Sequence, residues 1–114
     1  MCKFGDIYLA NLPVVSGSCV QQGIRPVIVV SNDKNNIYST MISVVPLTSK
    51  MSKHNLPTYV FIRGYGLSKP SIILAEQVRP LDKSDLLTHI GTIVDLPMRN
   101  KIQRAMMIQL NMVA

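Results

Sequence analysis

Short apolar stretches separated by turn-forming residues fill the first three quarters of the chain. Residues 6–12 alternate imperfectly between apolar and polar positions, which predicts a first strand. Residues 25–32 are nearly continuous in β-branched side chains, which predicts a central strand buried on both faces, with Pro26 near its start. Loops are predicted over residues 14–23 and 48–55 and a turn over residues 33–36. Further strands are predicted over residues 38–47, 57–62, 71–76 and 88–94, with an extended segment at 77–81.

The spacing of apolar residues changes near the end of the chain. They recur there every three or four positions, which predicts a terminal amphipathic helix of roughly 17 residues. Asp95 is a suitable N-cap, and Pro97 is tolerated in a first helical turn. Residues 82–85 are expected to cap a short helical turn. Many short strands and one terminal helix predict a single domain over residues 1–114, of the α+β class with a mostly antiparallel, curled sheet. The apolar positions of the helix are Met98, Ile102, Ala105, Met106, Leu110 and Val113.

Composition narrows the class of protein. The 114 residues are 47% hydrophobic and 16% charged, which excludes intrinsic disorder. No apolar run approaches the ~20 residues of a membrane span, and no signal peptide is visible at the N-terminus, so a cytoplasmic protein is expected. Cys2 and Cys19 lack the paired spacing of a zinc site, and His54 and His89 are isolated, so neither a metal nor a cofactor is expected.

The net charge of +6 is unevenly distributed. No acidic residue lies between Asp33 and Glu76, and this basic stretch carries several cations. Such a stretch favours a polyanionic partner or an acidic protein segment, although a solvated basic face without a partner is the alternative. The cations are Lys34, Lys50, Lys53, Arg63 and Lys69.

Candidate chemistry is confined to polar residues at the predicted strand ends, because no nucleophile elbow, P-loop or dinucleotide fingerprint is present. From the residues alone, Arg25 is either a functional cation or an ion-pair partner of Asp33 or Glu76. Thr48 is either functional or the start of a turn. The strand-end residues are Arg25, Asn32, Thr48, Ser49, Glu76, Gln77 and Arg79.

Five motifs, in order along the whole chain, resemble those of the MazF/PemK-type toxins of type II toxin–antitoxin modules. They are GDIY at 5–8, QGIRPVIVVSND at 22–33, PLTS at 46–49, LPT at 56–58 and SIILAEQVR at 71–79. The resemblance implies an SH3-like barrel with a C-terminal helix, which acts as a homodimer. It also implies an mRNA interferase, a sequence-specific, metal-independent endoribonuclease that cleaves single-stranded RNA and so inhibits translation and growth.

The same resemblance places the family's catalytic pair on Arg25 and Thr48. Attack by the adjacent 2′-hydroxyl would give a 2′,3′-cyclic phosphate and a 5′-hydroxyl, and a guanidinium suits the dianionic transition state. An arginine is a poor base. Glu76 is therefore either a supporting catalytic group or a structural partner of Arg25.

The implied partners are RNA and a MazE-type antitoxin with an acidic C-terminal segment. Exposed base edges would be recognised by loop 14–23 and by groove residues, and lysines would hold phosphates. The loop has one residue more than many relatives and no acid, and Tyr59 replaces a common histidine, so base specificity stays open. The RNA-binding candidates are Ser18, Gln21, Asn32, Ser49, Lys50, Lys53, Leu56, Lys69 and Gln77.

Two alternatives belong to other classes of function. One is a non-enzymatic toxin of the same fold that binds DNA gyrase, and the other is an RNA-binding module without turnover. Together, Arg25 and Thr48 favour the enzyme.

Overall fold

The computed structural model describes residues 1–14, 17, 21–51 and 54–113. Within these residues the chain forms seven strands, mostly in one antiparallel sheet, and two α-helices. The elements are β1 (Asp6–Leu12), β2 (Gly23–Val29), α1 (Asp33–Tyr38), β3 (Met41–Thr48), β4 (Tyr59–Ile62), β5 (Ser71–Leu74), β6 (Arg79–Asp82), β7 (Leu86–Thr92) and α2 (Leu96–Gln109).

The sheet has the strand order β4-β5-β3-β2-β1-β7, and β6 also pairs with β3. In the described residues, β4 and β7 lie at the two ends of this order and do not pair with each other, so the sheet is not closed. The expected fold class, a mostly antiparallel sheet with a C-terminal helix, is confirmed. The bounds of β2 differ from the predicted residues 25–32, because the strand begins at Gly23 and ends at Val29.

The second half of β2 is fully buried between two cores. Val27, Ile28 and Val29 are fully buried, as their β-branched run predicted. Ile28 packs in a core on one face of the sheet, which α2 covers with Ile102 and Ala105. Val27 and Val29 pack in a second core on the other face. Both faces of β2 are therefore closed to solvent along this half of the strand.

Strand β3 changes its partner along its length, from β2 to β5. Its pairing with β2 runs from Val29↔Val44 to Val27↔Pro46, and its pairing with β5 begins at Leu47. Strand β3 therefore leaves β2 at the point where it joins β5. This divergence creates the space in which the candidate site lies.

Helix α2 begins as expected at an Asp95 N-cap, whose Oδ2 accepts a hydrogen bond from the Met98 amide at 3.2 Å. Asp95 Oδ1 accepts a second hydrogen bond, from the Tyr65 hydroxyl at 2.6 Å. This bond lowers the pKa of Asp95 and raises the pKa of Tyr65. The turn at Tyr65 packs against Gly91, where an added Cβ would lie 1.9 Å from the Tyr65 carbonyl oxygen. No larger side chain fits at position 91 without movement of the backbone.

The predictions for the segment after β2 and for the end of β5 were wrong. Strand β5 ends at Leu74, and Glu76, predicted at the end of a strand, lies in the 3₁₀ turn Ala75–Gln77. Residues 33–36, which were expected to form a turn, belong to helix α1. Asn32 caps this helix, since its Oδ1 accepts a hydrogen bond from the Asn35 amide at 2.9 Å. Asparagine and aspartate favour turns and helix N-termini for the same reason, a short side chain that bonds to nearby amides.

Candidate active site

Arg25 lies at the end of β2 that projects beyond the core. Its backbone is opposite Ala10 of β1, and its side chain is exposed. The Nε–H donates a hydrogen bond to the Gln22 carbonyl oxygen at 3.2 Å. This bond fixes one edge of the guanidinium plane, while the Nη groups carry the remaining N–H donors. The arginine is thus oriented by the backbone of its own strand entry.

Thr48 is the last residue of β3 and is paired with Ile72 of β5. Its Oγ1 accepts a hydrogen bond from the Lys50 amide at 3.2 Å, in the short turn that follows the strand. Because the hydroxyl oxygen acts there as acceptor, its hydrogen remains available for donation to an anionic group. The sequence-based alternative that Thr48 starts a turn is therefore also correct, and it is compatible with a functional hydroxyl.

Arg25 and Thr48 come from neighbouring strands but line different cavities. The pairing of β2 with β3 ends at Val27↔Pro46, so both residues lie beyond its last pair. Arg25 lines a cavity of about 430 Å³ together with Leu47 and Ser49, whereas Thr48 lines a second cavity of about 260 Å³. Consecutive residues of a strand point to opposite faces. The end of β3 therefore separates the two cavities.

The Arg25 cavity is cationic and rich in hydroxyl groups. Arg25 and Lys69 provide positive charge, and three serines line the cavity together with apolar residues such as Pro26 and Leu47. The hydroxyl of Ser71 donates a hydrogen bond to the Lys69 carbonyl at 3.0 Å. None of the described residues that line this cavity carries a carboxylate. Its chemistry suits an anionic ligand such as a phosphate. The serines are Ser49, Ser68 and Ser71.

The Thr48 cavity contains the carboxylate of Glu76. Glu76 Oε1 is buried and has no hydrogen-bond partner among the described residues, and the same holds for the side-chain oxygen of Gln21 in the same cavity. Neither Glu76 nor Asp33 forms an ion pair with Arg25, so the described contacts contradict the alternative that Arg25 is a structural partner of these acids. A buried acceptor without a protein partner requires an explanation, such as a bound water or a catalytic role.

Gln77 and Arg79 hold the residues that precede Arg25. The Gln21 amide donates a hydrogen bond to Gln77 Oε1 at 2.8 Å, and Arg79 Nη1 donates one to the Gln21 carbonyl at 3.1 Å. Gln77 was predicted as an RNA-binding residue, and that role stays a prediction beside this backbone contact. Arg79 was not among the predicted site residues, although its place at a strand end had singled it out.

The other predicted site residues are divided between several locations. Ser49 and Lys69 lie with Arg25, while Gln21 and Lys50 lie with Thr48. Asn32 caps α1 and lines a separate groove with α2, and Leu56 is exposed before β4 without lining either cavity. The predicted roles of all these residues stay predictions. Ser18 and Lys53 lie outside the described residues.

The described part of the chain holds neither a candidate metal centre nor a membrane-spanning helix. Among residues 1–14, 17, 21–51 and 54–113, no group of three or more His, Cys, Asp or Glu side chains is placed to hold a metal ion. The helices in this part of the chain are too short or too polar to cross a membrane. Cys2 is a buried free thiol.

The chain belongs to the family of PemK-like, MazF-like toxins of type II toxin–antitoxin systems, whose sequence pattern matches residues 3–110. Endoribonuclease MazF of Staphylococcus saprophyticus is 43% identical over 101 residues, which are 87% of this chain and 83% of that protein.

Solved structures share the fold. An endoribonuclease from a Mycobacterial species, solved with its cognate antitoxin, has a TM-score of 0.80 at 23% identity, covering 100% of this chain and 99% of that one. MazF from Deinococcus radiodurans also has a TM-score of 0.80, at 20% identity, covering 96% of each chain. The five motifs had therefore indicated the correct family.

Proposed function

We propose that this toxin is a sequence-specific, metal-independent endoribonuclease in which Arg25 and Thr48 act together on single-stranded RNA. The family and the 43% identical endoribonuclease MazF support the activity. The observation that carries the assignment of residues is the divergence of β2 from β3. It leaves one guanidinium and one hydroxyl at adjacent strand ends, each oriented by a hydrogen bond to backbone.

In this proposal the scissile phosphate lies over the end of β3, between the two cavities. The adjacent 2′-hydroxyl loses its proton to a base and attacks phosphorus, and the P–O5′ bond breaks as the 5′-oxygen takes a proton from water. The products are a 2′,3′-cyclic phosphate and a 5′-hydroxyl. The Nη groups of Arg25 stabilise the dianionic phosphorane with parallel donors, and the Thr48 hydroxyl holds a phosphate oxygen in line. Arg25 carries charge throughout, because a guanidinium does not act as a base.

Glu76 is the candidate base for the 2′-hydroxyl. Among the described residues that line the two cavities, Glu76 carries the one carboxylate, and it lies in the Thr48 cavity. No donor of the described residues forms a hydrogen bond with its Oε1. Lys50 and Lys69, one in each cavity, would hold the flanking phosphates, which positions RNA without reading its sequence. Base edges would be read from the Gln21 side of the Thr48 cavity.

The proposed biological unit is a cytoplasmic homodimer controlled by an acidic antitoxin. A two-fold dimer would combine two copies of the basic stretch into a longer groove. The Mycobacterial endoribonuclease was solved with its cognate antitoxin, which supports control by a bound protein. An acidic segment of the antitoxin would compete with RNA at the Arg25 cavity, so titration of that segment should raise the apparent Kd for RNA.

The deciding experiment is incubation of a long single-stranded RNA with the purified protein in EDTA. We expect cuts at one short motif. The upstream fragment should end in a 2′,3′-cyclic phosphate, and the downstream fragment should begin with a free 5′-hydroxyl. A strict requirement for added Mg²⁺ would contradict the mechanism. Binding without any cut would favour an RNA-binding module, and inhibition of DNA gyrase without RNA cleavage would favour the non-enzymatic toxin.

A further inference from the structure

Three hydrogen bonds converge on the backbone of Gln21 and Gln22, immediately before the strand that carries Arg25. Gln77 Oε1 accepts from the Gln21 amide, and Arg79 Nη1 donates to the Gln21 carbonyl. The next carbonyl, that of Gln22, accepts from Arg25 Nε. The backbone group that orients the guanidinium is therefore adjacent to a residue held at both its amide and its carbonyl.

Gln77 and Arg79 stand on a well-fixed part of the molecule. Gln77 ends the 3₁₀ turn Ala75–Gln77, whose first amide donates to the Thr58 carbonyl at 3.1 Å. Arg79 begins β6 and is paired with Val44, which is fully buried in β3. Arg79 thus connects the entry of β2 to the strand that ends at Thr48, and Gln77 connects the same entry to the 3₁₀ turn.

Arg25 needs such support because it is exposed and long. An arginine side chain has about 2 kcal/mol of rotamer entropy to lose when it is fixed. A single bond to the Gln22 carbonyl restrains the guanidinium only as far as that carbonyl is itself restrained. Misplacement of a catalytic group by about 1 Å can reduce the rate by about 10²-fold.

We propose that Gln77 and Arg79 are positioning residues that hold residues 21–22 and thereby align the Arg25 guanidinium with the Thr48 hydroxyl. The inference rests on the proposed function for its catalytic consequence, but its structural content does not depend on RNA cleavage. In this inference the Gln77 and Arg79 side chains have a structural role, because they bond to the backbone of Gln21.

The test uses Gln77→Ala, Arg79→Ala and Arg79→Lys in the full chain, with Arg104→Ala as a matched control. Arg104 is an exposed arginine of α2 that lines neither cavity. We expect kcat for RNA cleavage to fall about 10- to 100-fold in the two alanine variants, with KM changed by less than about threefold. Arg79→Lys keeps a cationic donor and should recover part of kcat. Arg104→Ala should keep the wild-type kcat.

Two NMR signals of the free protein test the same inference without substrate. Gln77→Ala should accelerate hydrogen exchange of the Gln21 amide, and Arg79→Ala should shift the Nε–H signal of Arg25. Wild-type values for both signals would overturn the inference, as would a pure rise in KM with kcat unchanged. If the wild-type protein cuts no RNA, the proposed function fails, and the two NMR signals alone decide whether Gln77 and Arg79 align Arg25.

Discussion

The two ends of β2 differ in almost every physical respect. Val27, Ile28 and Val29 are fully buried and paired with β1 on one side and β3 on the other. Ile24 and Arg25 are exposed and paired only with β1 in the described residues. One half of the strand therefore contributes hydrophobic stability, and the other half presents a charged side chain to solvent.

This difference shows how a small domain combines a stable core with a polar site. A guanidinium inside the core would require desolvation of its charge, which costs several kcal/mol unless a partner compensates. At the end of β2, Arg25 stays hydrated. Its guanidinium is oriented by the strand, whose other end is fully buried. The buried half and the exposed half should accordingly respond to mutation in opposite ways.

The largest expected effect is on catalysis at the exposed end. Arg25→Ala should lower the cleavage rate at least about 10²–10³-fold, because a donor to the transition state is lost. Thermal unfolding of this variant should match that of the wild type, since Arg25 lies outside both cores. A folded Arg25→Ala protein that cuts RNA at the wild-type rate would contradict the assignment.

The next effect compares two isoleucines of the same strand. Ile28 is fully buried and Ile24 is 65% exposed. Ile28→Ala should lower the free energy of unfolding by about 2–5 kcal/mol, whereas Ile24→Ala should change it by no more than about 0.5 kcal/mol. Urea denaturation followed by circular dichroism measures both. Equal losses in the two variants would mean that β2 is not divided as described.

A smaller effect concerns the cationic cavity beside Arg25. If Lys69 contacts an RNA phosphate, Lys69→Gln should reduce the slope of log K against log salt by about 0.7 and leave the cut motif unchanged. Lys101→Gln, on an exposed position of α2, is the matched control and should leave the slope unaltered. An identical slope in the wild type and Lys69→Gln would place Lys69 outside the RNA path.

The smallest effect concerns the pair that joins the turn at Tyr65 to α2. The hydrogen bond from Tyr65 lowers the pKa of Asp95 below its ordinary 3.8. The stability that it contributes is present above pH 3.8 and is lost as the pH falls through the lower folded value. Tyr65→Phe should therefore reduce Tm at pH 7 and reduce it less at pH 2. An equal reduction of Tm at both pH values would contradict this linkage.

Sequence predicted the elements that depend on local signals. The Asp95 cap, the burial of Val27 and Val29, and the first strand all follow from residues within a few positions of one another. The short helix after Asn32 was missed because six residues are too few for an apolar period to show. The same cap residues also favour turns.

The candidate site was predicted only in part. Motifs indicated Arg25 and Thr48, but the separation of their cavities depends on where β3 leaves β2, which no local pattern reports. The contacts of Gln77 and Arg79 with Gln21 join residues 56 and 58 positions apart. Sequence could mark these side chains as polar groups at strand ends, but it could not reveal that they bond to the backbone before Arg25.

Because Gln77 and Arg79 bond to the backbone of Gln21, a replacement of the Gln21 side chain leaves both hydrogen bonds in place. Arg25 and Thr48 depend on strands whose buried halves tolerate little substitution. Gln21 belongs to neither core. If its side chain reads bases, as proposed, a replacement at position 21 changes the recognised motif while the chemistry stays the same.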